Sequence, residues 1–232
     1  MKNTLIVAIM LSCHVGLSQQ NETIVVNPVK QNEQEVLSRM YQYTQFITGK
    51  AIYENGDVVT SQLNYNYIQN QIFFIAPKGD TLQLINGADF KMIVIDLDTF
   101  YYYNKQFIQQ VSHYPTYNVL KKRTLQNSGT EKKGAYGTYS SSSAITNVTT
   151  IPEGANANIH FLSDENISYS FKETFFLSGK YGKYYPATKK GANELFGKND
   201  QELKDYLAKN SIDFGKKEDL EKLMVFAQTI LK

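Results

Sequence analysis

The sequence predicts a mainly β protein: a curled antiparallel meander, an open barrel or sandwich of about ten to twelve short strands, with two C-terminal amphipathic helices packed on it. Three observations predict this. Turn dipeptides punctuate short apolar and aromatic runs at intervals of about eight to twelve residues, the spacing of sandwiches and barrels. Several of those runs alternate apolar with polar residues, the period of a sheet with one buried face. After Pro186 the period changes to that of helices.

The chain opens with one charge, Lys2, an apolar run from Leu5 to Leu11, and the small residues Gly16 and Ser18 ahead of the polar Gln19-Gln20-Asn21-Glu22. Charge, then apolar run, then small residues is the order of a secretory signal peptide, so residues 1–18 are expected to be cut away between Ser18 and Gln19. The apolar run is shorter than the roughly 20 residues of a spanning helix, and no later run is longer, so no transmembrane segment is expected in the mature chain. Cys13 offers an alternative, a lipidated cysteine at the cut, against which Leu11 is bulky where that signal takes a small residue. Cleavage at Ser18 removes the only Cys, so the exported chain is expected to hold together by core burial without a disulfide.

Residues 19–45 read as a polar leader, interrupted by Pro28, that packs late or not at all. Residues 46–232 read as a single β-rich domain whose part from 187 to 232 is helical. Its first strands are expected over 46–53, 58–68, 71–76, 81–85, 90–95, 99–103, 106–111 and 117–125. They are separated by Glu54-Asn55-Gly56-Asp57, Gln69-Asn70, Pro77-Lys78-Gly79-Asp80, Asn86-Gly87 and Asn104-Lys105. Asn-Gly suits a tight hairpin because both central residues need positive φ. In the second run Val59, Leu63, Tyr65 and Tyr67 point one way, and Thr60, Gln62, Asn64 and Asn66 the other, which reads as one core face and one wet face. Ile72-Phe73-Phe74-Ile75 and Met92-Ile93-Val94-Ile95 are apolar on both faces, so the C-terminal helices are expected to cover them. Residues 126–143 read as a surface excursion, 145–151, 159–162 and 167–176 as further strands, and 181–185 as a hairpin partner. The helices are marked by Leu203, Tyr206 and Leu207, and by Leu220, Leu223, Met224, Ala227, Ile230 and Leu231.

Lys+Arg 24 against Asp+Glu 22, a net charge of +2, is too mild for nucleic-acid binding, which releases counterions with a concentrated basic stripe. A catalytic zinc site takes three ligands rich in His or Cys, and beyond the signal peptide only His113 and His160 remain, far apart. Asp96 and Asp98 share a face of an extended chain, but no further carboxylate or glycine loop completes a cation site, so a solvated turn is the expected reading. No Gly-x-Ser-x-Gly elbow or phosphate-binding glycine loop occurs. No catalytic residue, metal or cofactor is therefore assigned. Aromatics are the one excess, Tyr 17 and Phe 13 with Trp 0. Tyr101-Tyr102-Tyr103 sends side chains to both faces of a strand, and Tyr184-Tyr185 does the same near the helical join, so Tyr101, Tyr103, Tyr184 and Tyr185 are the candidate binding residues.

The blocks Gly49-Lys50-Ala51 with Glu54-Asn55-Gly56, Leu63-Asn64-Tyr65-Asn66, Gly79-Asp80-Thr81-Leu82, Lys209-Asn210-Ser211-Ile212-Asp213-Phe214 and Glu218-Asp219-Leu220 resemble a family of uncharacterised secreted proteins from Bacteroidota, from about Phe46 to the end. The resemblance implies export to the periplasm or surface of a Gram-negative cell and carries no established activity. It also implies that Asp80-Thr81-Leu82 is similar to an O-glycosylation acceptor of that phylum. The expected function is a non-enzymatic envelope protein that binds a partner protein. The alternative is a carrier of an apolar small molecule in a pocket lined by residues such as Phe73, Phe74 and Met92. A hydrolase using His113 or His160 comes third.

Overall fold

The computed structural model describes residues 23–26, 38–133, 139–141, 165–179, 182–197 and 201–230. Its strands are β1 (Thr23–Val26), β2 (Ile47–Tyr53), β3 (Val58–Asn66), β4 (Gln71–Ile75), β5 (Thr81–Gln83), β6 (Phe90–Ile95), β7 (Asp98–Tyr103), β8 (Gln106–His113), β9 (Asn118–Lys133), β10 (Tyr139–Ser141), β11 (Glu165–Ser178) and β12 (Tyr184–Pro186). Its helices are α1 (Lys189–Phe196), α2 (Gln201–Lys209) and α3 (Lys217–Ile230). All these strands join one antiparallel sheet in the order β1-β11-β9-β8-β7-β6-β2-β3-β4-β5, with β10 on β9 and β12 on β11. The mainly β architecture with C-terminal helices is as the sequence predicts, with α1 a third helix that the period after Pro186 did not disclose.

Turn chemistry sets the hairpins. Between β2 and β3 Gly56 takes φ +92°, and the Asn55 side chain holds the turn, accepting from the Asp57 N–H at 3.0 Å and donating to the Asp57 carboxylate at 2.7 Å. Between β7 and β8, Asn104 and Lys105 both take positive φ, 50° and 64°, which matches the right-handed twist of the flanking strands. Between β2 and β9 the meander breaks once. β6 pairs with β2, not β5, so the chain crosses over through a 3-10 turn at Gly87–Asp89 and leaves β5 at an edge of the sheet.

The sheet curls until the turn after β3 reaches β8 and β9. The Phe107 N–H donates to the Asn70 carbonyl at 2.9 Å and the Leu125 N–H to the Tyr67 carbonyl at 3.1 Å. Asn70, 2% exposed and at φ +53°, clasps this junction: its amide donates to the carbonyls of Tyr67 (3.0 Å) and Arg123 (3.1 Å), and its Oδ1 accepts from the Thr124 hydroxyl at 3.0 Å. Inside the curl lies one core, with Leu63, Tyr65, Ile72, Ile93, Ile95, Phe100 and Phe107 nearly inaccessible. A second core lies between the helices and the ends of β9 and β11, where Val119, Phe175 and Leu177 meet Ala192, Leu203, Leu220, Leu223, Met224 and Ala227.

Both cores use the same face of the β9–β11 ribbon. Pairing of Val119 with Leu177, Lys121 with Phe175, Arg123 with Glu173 and Leu125 with Phe171 puts these side chains on one side. Lys121, Arg123 and Glu173 form a charged belt between the cores, with Lys121 to Glu173 at 2.8 Å and the Arg123 guanidinium 3.7 Å from the centre of the Phe171 ring.

The structure corrects several expectations. The wet face of β3 is not wet at its end: Asn64 and Asn66 are 1% and 7% exposed. Residues 40–45, read as leader, run along β3, and Asn64 supplies the missing strand partner by accepting from the Tyr43 N–H and donating to the Tyr43 carbonyl. Met40 is in the core, and Thr23–Val26 pair with β11, so parts of the segment read as leader belong to the sheet. Tyr41, not a C-terminal helix, covers the second face of β4, its ring edge-on to Phe73 at 5.9 Å. The helices sit instead on the ribbon ends. The surface excursion expected over 126–143 contains the second half of β9 and all of β10. The strands expected over 145–151 and 159–162 lie outside the described residues. Among the described residues no helix is long and apolar enough to cross a membrane.

Candidate functional site

The side chains that make one large cleft come from the edge half of the sheet. Gly49 faces Ser61 and Ala51 faces Val59 across β2 and β3; the small side chains of Ala51 and Ser61 line the floor of the cleft, while Leu63 fills the space over Gly49. The β4–β5 hairpin raises Phe74, Ile75 and Leu82 as one wall, continued by Leu84 and Ile85. Tyr53 and Phe90, ring centres 4.4 Å apart, close the other side. The result is an open, mainly apolar cleft of about 1280 Å³, at whose rim Val59 and Ile85 are 50% and 71% exposed. Small-molecule sites are commonly apolar clefts of this order, roughly 300–1,000 Å³. Of the expected lining residues only Phe74 is here. Phe73 points to the opposite face under Tyr41, and Met92 lines a different cleft.

That second cleft, about 670 Å³, is more polar, with Glu54, Lys91, Met92, Tyr101, His113, Asn118, Ser178 and Tyr184 in its wall. His113 Nδ1 lies 2.7 Å from the Asn118 Oδ1, and the Asn118 amide donates to the Ser178 hydroxyl at 3.1 Å. An amide thus separates this histidine from this serine, so His113 does not serve as its base. His160 lies outside the described residues, as do Cys13, Ser18 and Gln19.

Three of the four candidate tyrosines are brought together. Tyr184 stands 6.1 Å from Tyr101 and 5.3 Å from Tyr103, and Tyr103 meets Phe176 at 5.5 Å, a half-buried aromatic cluster on the outer face of the sheet. Tyr185 points elsewhere, with the Lys183 ammonium 5.0 Å from its ring centre. Asp98 has neutral donors around it, the Tyr43 hydroxyl and the Gln42 amide at 2.6 Å and the Gln109 amide at 2.7 Å. Asp96 takes φ +53° in the turn. Among the described residues no group of three or more His, Cys, Asp or Glu could hold a metal ion. Thr81 begins the edge strand β5, half-buried and paired with Ile75.

No family model, curated protein or solved structure matches this chain.

The buried phenols give the molecule an alkaline limit. Burial pushes the Tyr43, Tyr65 and Tyr184 hydroxyls well above the ordinary phenol value, and at Tyr43 the Asp98 carboxylate opposes ionisation further. A folded pKa raised above its unfolded value stabilises fully below the unfolded value and is lost as pH rises past it. Thermal midpoints are therefore expected to stay level to about pH 9 and to fall from about pH 10, the unfolded phenol value. Tyr43→Phe with Tyr184→Phe should flatten that fall; an equally steep fall in the double variant would refute the assignment.

Reading the sequence expected an apolar pocket and named one residue of this cleft, Phe74, but not the rest of its wall. The signal was present, because Ala51 and Ser61 are small residues in two otherwise bulky alternating runs, but it becomes legible only once β2 and β3 are in register.

Proposed function

We propose that this chain is an exported, non-enzymatic binding protein that carries an apolar small molecule in the open end of its curled sheet. The observation that carries the reading is the cleft of about 1280 Å³ with exposed Val59 and Ile85 at its rim. Exposed apolar surface that a fold retains beside a concavity is surface that a guest can bury. Export to the periplasm or cell surface of a Gram-negative cell is supported by the signal-peptide pattern and by the resemblance to secreted Bacteroidota proteins.

The test is binding of the neutral dye Nile red to the full chain. Wild type is expected to bind it with a bright, blue-shifted emission, and Ser61→Phe, which fills the cleft from a half-exposed position, to weaken it at least about tenfold, a change of about 1.4 kcal/mol. Unaltered binding by a folded Ser61→Phe would refute the reading.

A second reading, partner binding through tyrosines, is favoured by the clustering of Tyr101, Tyr103 and Tyr184, since rigid aromatic groups suit protein contacts. Crosslinking in the envelope that is unaltered by alanine at Tyr101, Tyr103, Tyr184 and Tyr185 would remove it.

A further inference from the structure

We infer that the guest of the large cleft is uncharged: a mainly hydrocarbon molecule whose polar group is at most a hydroxyl, ester or amide, and not an anionic amphiphile. This rests on the carrier reading above. Among the described residues the wall of the cleft includes no Lys, Arg, His, Asp or Glu. Its polar groups are hydroxyls and amides, from Thr48, Thr60, Ser61, Gln62 and Gln83, with the phenol of Tyr53. Two of these already satisfy each other, the Gln62 amide donating to the Thr48 hydroxyl at 2.8 Å. Such a wall can hydrogen-bond a neutral head group. An ionised head seated there would give up its water and gain no opposite charge in return, which is the costly way to bury an ion. The contrast lies within the molecule, because the smaller cleft has Glu54, Lys91 and His113 in its wall. Among the described residues, charged side chains line one concavity and not the other.

The experiment displaces Nile red from the full chain at pH 8 with 1-decanol and with decanoate, which share a chain length and differ in head-group charge. Wild type is expected to release the dye at a decanol concentration at least tenfold below that of decanoate. Because decanol is the more apolar compound in any setting, the wall itself is tested by Ser61→Lys, which adds a cation to it. That variant is expected to lower the decanoate-to-decanol ratio at least tenfold relative to Ser61→Gln, which adds comparable bulk without the charge. Decanoate displacing the dye from wild type as well as decanol does would overturn the inference and leave the carrier reading standing. A ratio no lower in Ser61→Lys than in Ser61→Gln would also overturn it. Wild type that binds no Nile red would overturn the carrier reading and the inference together.

Discussion

Asn70→Asp is expected to cost about 3–5 kcal/mol at neutral pH, the scale for leaving a buried charge uncompensated. The substitution keeps shape and replaces only the amide nitrogen by oxygen. That nitrogen donates to two carbonyls, Tyr67 and Arg123, on opposite sides of the junction where the curled sheet meets itself. Aspartate would aim a carboxylate at both, in a position 2% exposed, where water cannot screen the repulsion. An ordinary domain has about 5–15 kcal/mol in total, so the variant should melt far below wild type. Its carboxyl would take up a proton in the folded state, with a raised pKa, so stability should return as pH falls from neutral toward the usual carboxylate value. Urea unfolding at pH 7 and pH 4 measures both effects. A loss under about 1 kcal/mol at pH 7 would mean that the Asn70 side chain does not hold the junction.

Gly191→Ala should lower stability by about 2–3 kcal/mol, although helix propensity alone argues for a gain of up to about 1 kcal/mol. Gly191 is in the first turn of α1, where its N–H donates to the Thr188 hydroxyl at 3.0 Å, and a Cβ placed on it falls 2.0 Å from the Pro186 carbonyl oxygen. The obstacle is backbone and cannot swing away. To admit the methyl, α1 must lift from β12, and Ala192 and Phe196 then leave the core shared by the helices and the ribbon. Sterics outweigh propensity in this ledger. Thermal unfolding of the full chain decides it, and an alanine variant as stable as wild type would show that α1 is not seated as described.

The parts of the fold legible in the sequence are those decided within a few residues. Asn55-Gly56 and Asn104-Lys105 make their turns because side chains of that kind tolerate positive φ, and no distant residue is needed to say so. Asn64 and Asn66 show where local reading ends. Their polarity marks a solvent face, yet Asn64 is buried because its amide mimics the edge of another strand toward Tyr43. Which strands the helices cover was likewise illegible: Ile72-Phe73-Phe74-Ile75 is as apolar as a helix-covered strand, and Tyr41 packs on Phe73 instead. The tyrosines were singled out for their number. Strand alternation already puts Tyr101 and Tyr103 on one face, but only the pairing of the sheet brings Tyr184 to join them.

The β9–β11 ribbon also dictates an order of events during folding. β11 supplies Tyr169 to one core and Phe175 and Leu177 to the other, and it is the strand on which β1, from the start of the chain, docks. Neither core can therefore be completed until nearly the whole chain is available, and the pairing of Thr23 with Ser170 closes one of the longest loops that the chain could close. An emerging N-terminal portion has no finished domain to fall into. Under the proposed export, such late closure would keep the chain in a translocatable state without any separate device.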